Sequence, residues 1–76
     1  MGATDIRQLI GRNARRLRTA AGLTQDGLAE RTGLSTAYIS EIERGQANPS
    51  AVVMAELAQA LGVDIRDLLK PEAGPG

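Results

Sequence analysis

The ten residues from Ser35 to Arg44, STAYISEIER, gather three hydroxyls (Ser35, Thr36, Ser40), a phenol (Tyr38), two carboxylates (Glu41, Glu43) and a guanidinium. Such groups can donate and accept hydrogen bonds at the edge of another molecule. The remainder of the chain offers no competing chemistry. It has no histidine, which removes the usual general base and the commonest metal ligand, and no cysteine, which removes thiolate sites and disulfides. No acidic cluster stands at metal-ligand spacing, and there is no glycine-rich phosphate loop. An enzyme is not expected, and the sequence calls for no cofactor, no metal and no evident small-molecule ligand.

The elements that must position these groups are short helices. Seventy-six residues allow one domain with a small core. A single aromatic residue, Tyr38, and three prolines that all follow residue 48 suit an all-α chain. No apolar run has membrane-spanning length, and residues 1–22 are too polar for a signal peptide, so a cytoplasmic protein without a membrane partner is expected.

Helical periodicity and capping residues divide the chain into five helices. The first opens with Thr4 or Asp5 as cap and runs to about Ala21, where Gly22 stops it. Ile6, Ile10, Ala14, Leu17 and Ala21 form its inward stripe, and Arg7, Arg12, Arg15, Arg16 and Arg18 fan across the other side. Thr24 caps a helix over 25–32, with Asp26 in the first turn where the helix dipole favours it, and Leu28 and Ala29 inside. Gly33 breaks it, and Leu34 is expected to be buried at the turn. Ser35 caps a helix over 36–44 that buries Ile39 and Ile42 and ends at Gly45. After the loop QANPS, Ser50 caps a helix over 51–61 with Met54, Leu57, Ala58 and Leu61 inward. Gly62 closes it, Asp64 caps a last short helix through Leu69, and residues 70–76 form a flexible tail.

Within residues 25–44 the spacing is that of a helix-turn-helix. Ala29 is small where a second helix must cross closely, and Gly33, four residues on, suits the positive φ of a tight turn. Ile39, six further, locks the second helix to the core. In that setting Ser35, Thr36 and Ser40 have hydroxyls for phosphates or bases, Ala37 a methyl for thymine, and Tyr38 a phenol for a phosphate. Ser35 has an equal claim as a cap, and Tyr38 as cover for the turn.

The stretch LTQDGLAERTGLSTAYISEIERGQANPS, followed by LAQALGV, resembles the Cro/CI-type helix-turn-helix of bacterial and phage regulators, the XRE family. The resemblance covers about residues 10–69. It includes the glutamine that opens the second helix, the IERG close and the NPS loop, and TAYISEIERG is similar to the restriction-controller subgroup. It implies a compact five-helix, lambda-repressor-like domain that binds double-stranded DNA. By position it implies a phosphate contact at Gln25 and base-facing roles for Thr36, Ala37 and Glu41, with Tyr38 and Ser40 beside them. It further implies backbone contacts at Arg44 and Asn48, and a partly buried ion pair between Arg18 and Glu43. Glu41 departs from the polar or basic residue common there. Either it accepts a hydrogen bond from cytosine N4, or it pairs with a nearby arginine such as Arg44 and reads nothing.

Formal charge is zero, but it is segregated: residues 1–22 carry +4 and residues 23–76 carry −4. Weak non-specific binding with strong salt dependence is expected, helped by backbone N–H groups at helix N-termini. Val52, Val53 and Ala60, with the segment 63–69, form either an apolar homodimer surface or the outer cover of the small core. A dimer would suit a palindromic operator read by two recognition helices, and repression is the expected outcome. The chain is either a stand-alone regulator or the DNA-binding domain of a longer one. The competing reading is a helical protein–protein module that keeps the fold and leaves DNA alone, supported by Glu41 and the neutral balance.

Overall fold

The computed structural model describes residues 5–71. Four α-helices follow one another: α1 (Ile6–Ala20), α2 (Gln25–Thr32), α3 (Thr36–Glu43) and α4 (Ala51–Leu61). A 3₁₀ helix, Ile65–Leu68, closes the fold. The domain is all-α.

Side-chain caps set the starts. Asp5 accepts from the Arg7 N–H at 3.0 Å, Thr24 from Gly27 at 2.9 Å, Ser35 from Tyr38 at 3.0 Å and Ser50 from Val53 at 3.1 Å. Each bond satisfies a backbone donor that the first turn of a helix leaves without a partner. Gly33, at φ 79°, ends α2 in the left-handed conformation and turns the chain directly into α3.

The core is Ile10, Ala14, Leu28, Ile39, Ile42, Leu57, Ala58, Leu61 and Leu68, with Leu17, Ala29, Leu34, Val53 and Met54 partly buried against it. A fully buried Leu or Ile contributes about 1.5–3 kcal/mol through removal from water. α1 packs on α3, the closing 3₁₀ helix and α4, while α2 packs on α3 and α4.

Five expectations need correction. Ile6 is 49% exposed and Ala21 is exposed, while Leu9 and Asn13 are buried in their place. α1 meets its partners over its middle, so a stripe extended to its two ends finds nothing to cover it. Leu34 is only half-buried. The third helix ends at Glu43, with Arg44 as its C-cap. The fifth element is a 3₁₀ helix: the Asp67 N–H donates to Asp64 O at 2.9 Å and that of Leu69 to Arg66 O at 3.0 Å. Four residues bounded by an Asp64–Asp67 cap are too few to establish an α-helical ladder. Of the proposed tail, Lys70 is tied to the domain by its carbonyl and its ammonium; residues 72–76, like the candidate cap Thr4, lie outside the described residues.

Candidate nucleic-acid interface

α3 is fixed from below and at both ends, which leaves one of its faces open. From below, Ile39 and Ile42 are each 1% exposed. Gly11 lets α1 come against the α3 backbone: a Cβ there would lie 2.7 Å from the Glu43 carbonyl oxygen and closer still to that of Ile42.

The C-terminal end is held by Glu43. Its Oε2 accepts from Arg18 Nε at 2.7 Å, and its Oε1 accepts from Arg18 Nη2 and Gln25 Nε2, both at 3.1 Å. Arg18 Nη1 also donates to Leu23 O at 2.8 Å. The Arg18 and Glu43 side chains are only 11% and 4% exposed. The hydrogen bond to Glu43 raises the Arg18 pKa still further above its ordinary value, outweighing burial, so this guanidinium stays charged. One carboxylate thus joins α1, the start of α2 and the end of α3. Fork geometry and low exposure make this a strong pair, unlike the exposed bridge from Arg7 to Asp5.

At the other end the Thr36 hydroxyl donates to Asp26 Oδ1 at 2.7 Å, bracing the first turn of α3 against that of α2. Ser35 Oγ caps α3. These two hydroxyls are therefore engaged within the domain. Tyr38 and Ser40 are half-buried, and Tyr38 packs against the core.

Ala37, Glu41 and Arg44 remain, all exposed and spaced i, i+4 and i+7 along one side of α3 and its cap. Glu41 and Arg44 form no ion pair with each other or with any other described residue. Asn48 is exposed on the loop that follows. Gln25, held by Glu43, stands at the N-terminus of α2, where uncompensated N–H groups and the helix dipole favour an anion.

Of the candidate dimer residues, Val52 is 69% exposed, whereas Val53 and Ala60 are partly buried against the domain's own core. Val53 and Ala60, seven apart, share one line of α4, and Val52 lies a step round the helix. Arg31 Nη1 reaches the Ala60 carbonyl at 3.4 Å over a shallow groove also lined by Thr32, Glu56 and Gln59. Among the described residues no group of three or more His, Cys, Asp or Glu comes together as metal ligands, and no helix is long and apolar enough to cross a membrane.

Three structural roles escaped the sequence reading. Asn13, fully buried, donates from Nδ2 to Leu68 O at 2.9 Å and Lys70 O at 2.8 Å, and accepts from Arg16 Nη2 at 3.1 Å. A polar residue three on from Ile10 and four before Leu17 was the available signal. A glycine inside a helix, disfavoured by about 1 kcal/mol against alanine, was the signal at Gly11. The brace at Asp26 had none, because the residue is equally at home as a first-turn acid.

Two helices joined by a left-handed glycine, the second locked by a buried isoleucine and presenting an uncommitted polar stripe, define a helix-turn-helix domain. The chain belongs to the helix-turn-helix family HTH_3, whose model matches residues 15–68; the family is one of DNA-binding transcriptional regulators. It is 48% identical over 67 residues to the HTH-type transcriptional regulator y4dJ of Sinorhizobium fredii, covering 88% of this chain and 87% of that protein. It is 39% identical over 66 residues to the control protein C.BamHI of Bacillus amyloliquefaciens, covering 86% and 82%. Among solved structures it resembles the restriction–modification controller protein C.AhdI from Aeromonas hydrophila, with a TM-score of 0.79 and 44% identity over 82% of this chain and 94% of that one.

Proposed function

We propose that this chain is a sequence-specific transcriptional regulator, acting in the cytoplasm as a repressor, that sits on a palindromic operator as a homodimer with α3 in the major groove. The observation that carries this reading is the division of labour on α3. Arg18, Glu43 and Gln25 lock its inner side, and Ala37, Glu41 and Arg44 face outward without internal partners. A packing module has no need of an unpaired carboxylate and an unpaired guanidinium one turn apart. Base edges are read by Ala37 and Glu41 of the outward stripe, with Thr36 and Ser40 at its border.

Phosphate contacts come from Gln25, whose amide keeps one N–H beyond its bond to Glu43, and from Arg44, Asn48, Ser35 and Tyr38 around the stripe. Few of these carry charge, so affinity builds from two subunits adding their contacts. Val52 is the exposed apolar residue through which α4 meets its counterpart, flanked by Val53 and Ala60. The likeness to the control protein C.BamHI and to the restriction–modification controller protein C.AhdI supports a regulatory role.

Selection from a random duplex library at near-physiological salt tests the proposal. A palindrome with half-sites about one helical turn apart is the expected product. Protein shown by circular dichroism to be folded, yet enriching nothing, would favour the protein–protein module instead.

A further inference from the structure

Glu41 is the one carboxylate on the outward stripe of α3, and the structure shows what it is free to do. Its carboxylate is exposed and has no ion-pair partner among the described residues, although Arg44 lies three positions on. The other α3 carboxylate, Glu43, is wholly engaged by Arg18 and Gln25. The hydroxyl hydrogen of Thr36 points to Asp26, and Ser35 Oγ holds the N-cap. Ala37, one turn before Glu41 on the same side, projects only a methyl group. On that side of α3 the Glu41 side chain therefore reaches beyond its neighbour Ala37.

Resting on the DNA-binding reading above, we infer that Glu41 is a specificity-determining residue that selects a cytosine in each half-site. An ionised carboxylate only accepts hydrogen bonds. In the major groove it is opposed by guanine O6 and N7 and by thymine O4, all acceptors. Adenine presents the N6 donor but sets the N7 acceptor beside it, where the second carboxylate oxygen would lie. Cytosine presents the N4 donor with no acceptor at its side on the same base. Glu41 thus discriminates partly by attraction to one base and partly by repulsion of the others. It also lowers affinity for any site that lacks the donor, since nearby phosphates then repel it without compensation.

The test repeats the library selection with the wild-type protein, Glu41→Ala and Glu41→Gln, each checked for an unchanged helical spectrum; an exposed position is not expected to alter the fold. Wild-type protein should enrich a C·G pair at one position per half-site, with a preference of roughly 5- to 150-fold over other pairs. Glu41→Ala should lose the preference at that position alone while binding unrelated duplex at least as tightly. Glu41→Gln should shift it towards adenine, whose N6 and N7 suit a carboxamide. An enriched site that Glu41→Ala leaves unchanged overturns this inference and spares the DNA-binding reading. Folded wild-type protein that enriches no site overturns both.

Discussion

Arg18 and Glu43, 25 positions apart, meet through two hydrogen bonds of 2.7 and 3.1 Å, and Gln25 shares one of the same carboxylate oxygens. An ion pair this well covered is poorly screened by salt, and each member depends on the other to be tolerated where it is. Glu43→Ala should lower stability by about 3–5 kcal/mol, because it strands the Arg18 charge. Replacing both, Arg18→Met with Glu43→Leu, should recover most of that loss in chemical denaturation. The double variant should still bind operator DNA more weakly than wild type, since Gln25 is no longer oriented. Full recovery of binding as well as stability would reduce the triad to a packing device.

Gly11→Ala should invert a familiar sign. In a solvent-facing helix this change stabilises by about 1 kcal/mol. Here the added methyl meets the carbonyl oxygens of Ile42 and Glu43, so α1 and α3 must separate. A loss of about 1–3 kcal/mol is expected in thermal unfolding, together with weakened DNA binding from a displaced α3. A raised melting temperature would show that the crossing has slack.

Asn13→Ala should remove two hydrogen bonds to the Leu68 and Lys70 carbonyls and leave the former buried without this donor. A destabilisation of about 1–3 kcal/mol follows from an unsatisfied buried group. Hydrogen exchange should show increased opening of residues 64–70 before the rest of the domain, as a local loss requires.

Asp64 is held at a pKa of about 2, first by its side-chain bonds to Arg66 and second by the Arg66 N–H, down from the ordinary 3.8. The folded value is depressed, so the contribution to stability is present above the unfolded pKa. It fades as the pH falls from about 3.8 through about 2. Carboxyl NMR titration of Asp64 should place its midpoint near the lower value, and Asp64→Asn should flatten stability over that acid window. A midpoint at the ordinary value would mean that the cap is open in solution.

Val52→Glu tests the proposed dimer with least risk to the fold, because Val52 is the exposed member of its group and Val53 packs inward. Sedimentation should show monomers, and operator affinity should fall as one half-site is lost. Unchanged sedimentation would place the dimer contact elsewhere or remove it.

What the sequence shows of this fold is what depends on near neighbours. Thr24, Ser35, Ser50 and Asp64 cap their helices because each reaches a donor only two or three positions ahead. Gly33 and Gly62 end theirs because the left-handed region is open to glycine. The inward stripes of α2, α3 and α4 follow from helical period, and that of α1 failed at Ile6 and Ala21, where period alone cannot say how far the partner extends. Asn13, Gly11 and the Asp26–Thr36 brace were hidden for a different reason: they depend on which surfaces meet across 10 to 57 positions. At the candidate interface, residue types and resemblance point to α3, but only the three-dimensional arrangement separates its engaged side chains from its uncommitted ones.

That separation bears on how such a domain diversifies. Ile39, Ile42 and Glu43 face inward, and Ala37, Glu41 and Arg44 face out, with no hydrogen bond or ion pair crossing between the two side-chain sets. On the proposed DNA-binding reading, substitutions confined to the outer three would alter the docking face without disturbing what holds α3 in place. A combinatorial library at those three codons should yield mostly folded proteins, so that a change of docking chemistry need not pass through an unstable intermediate.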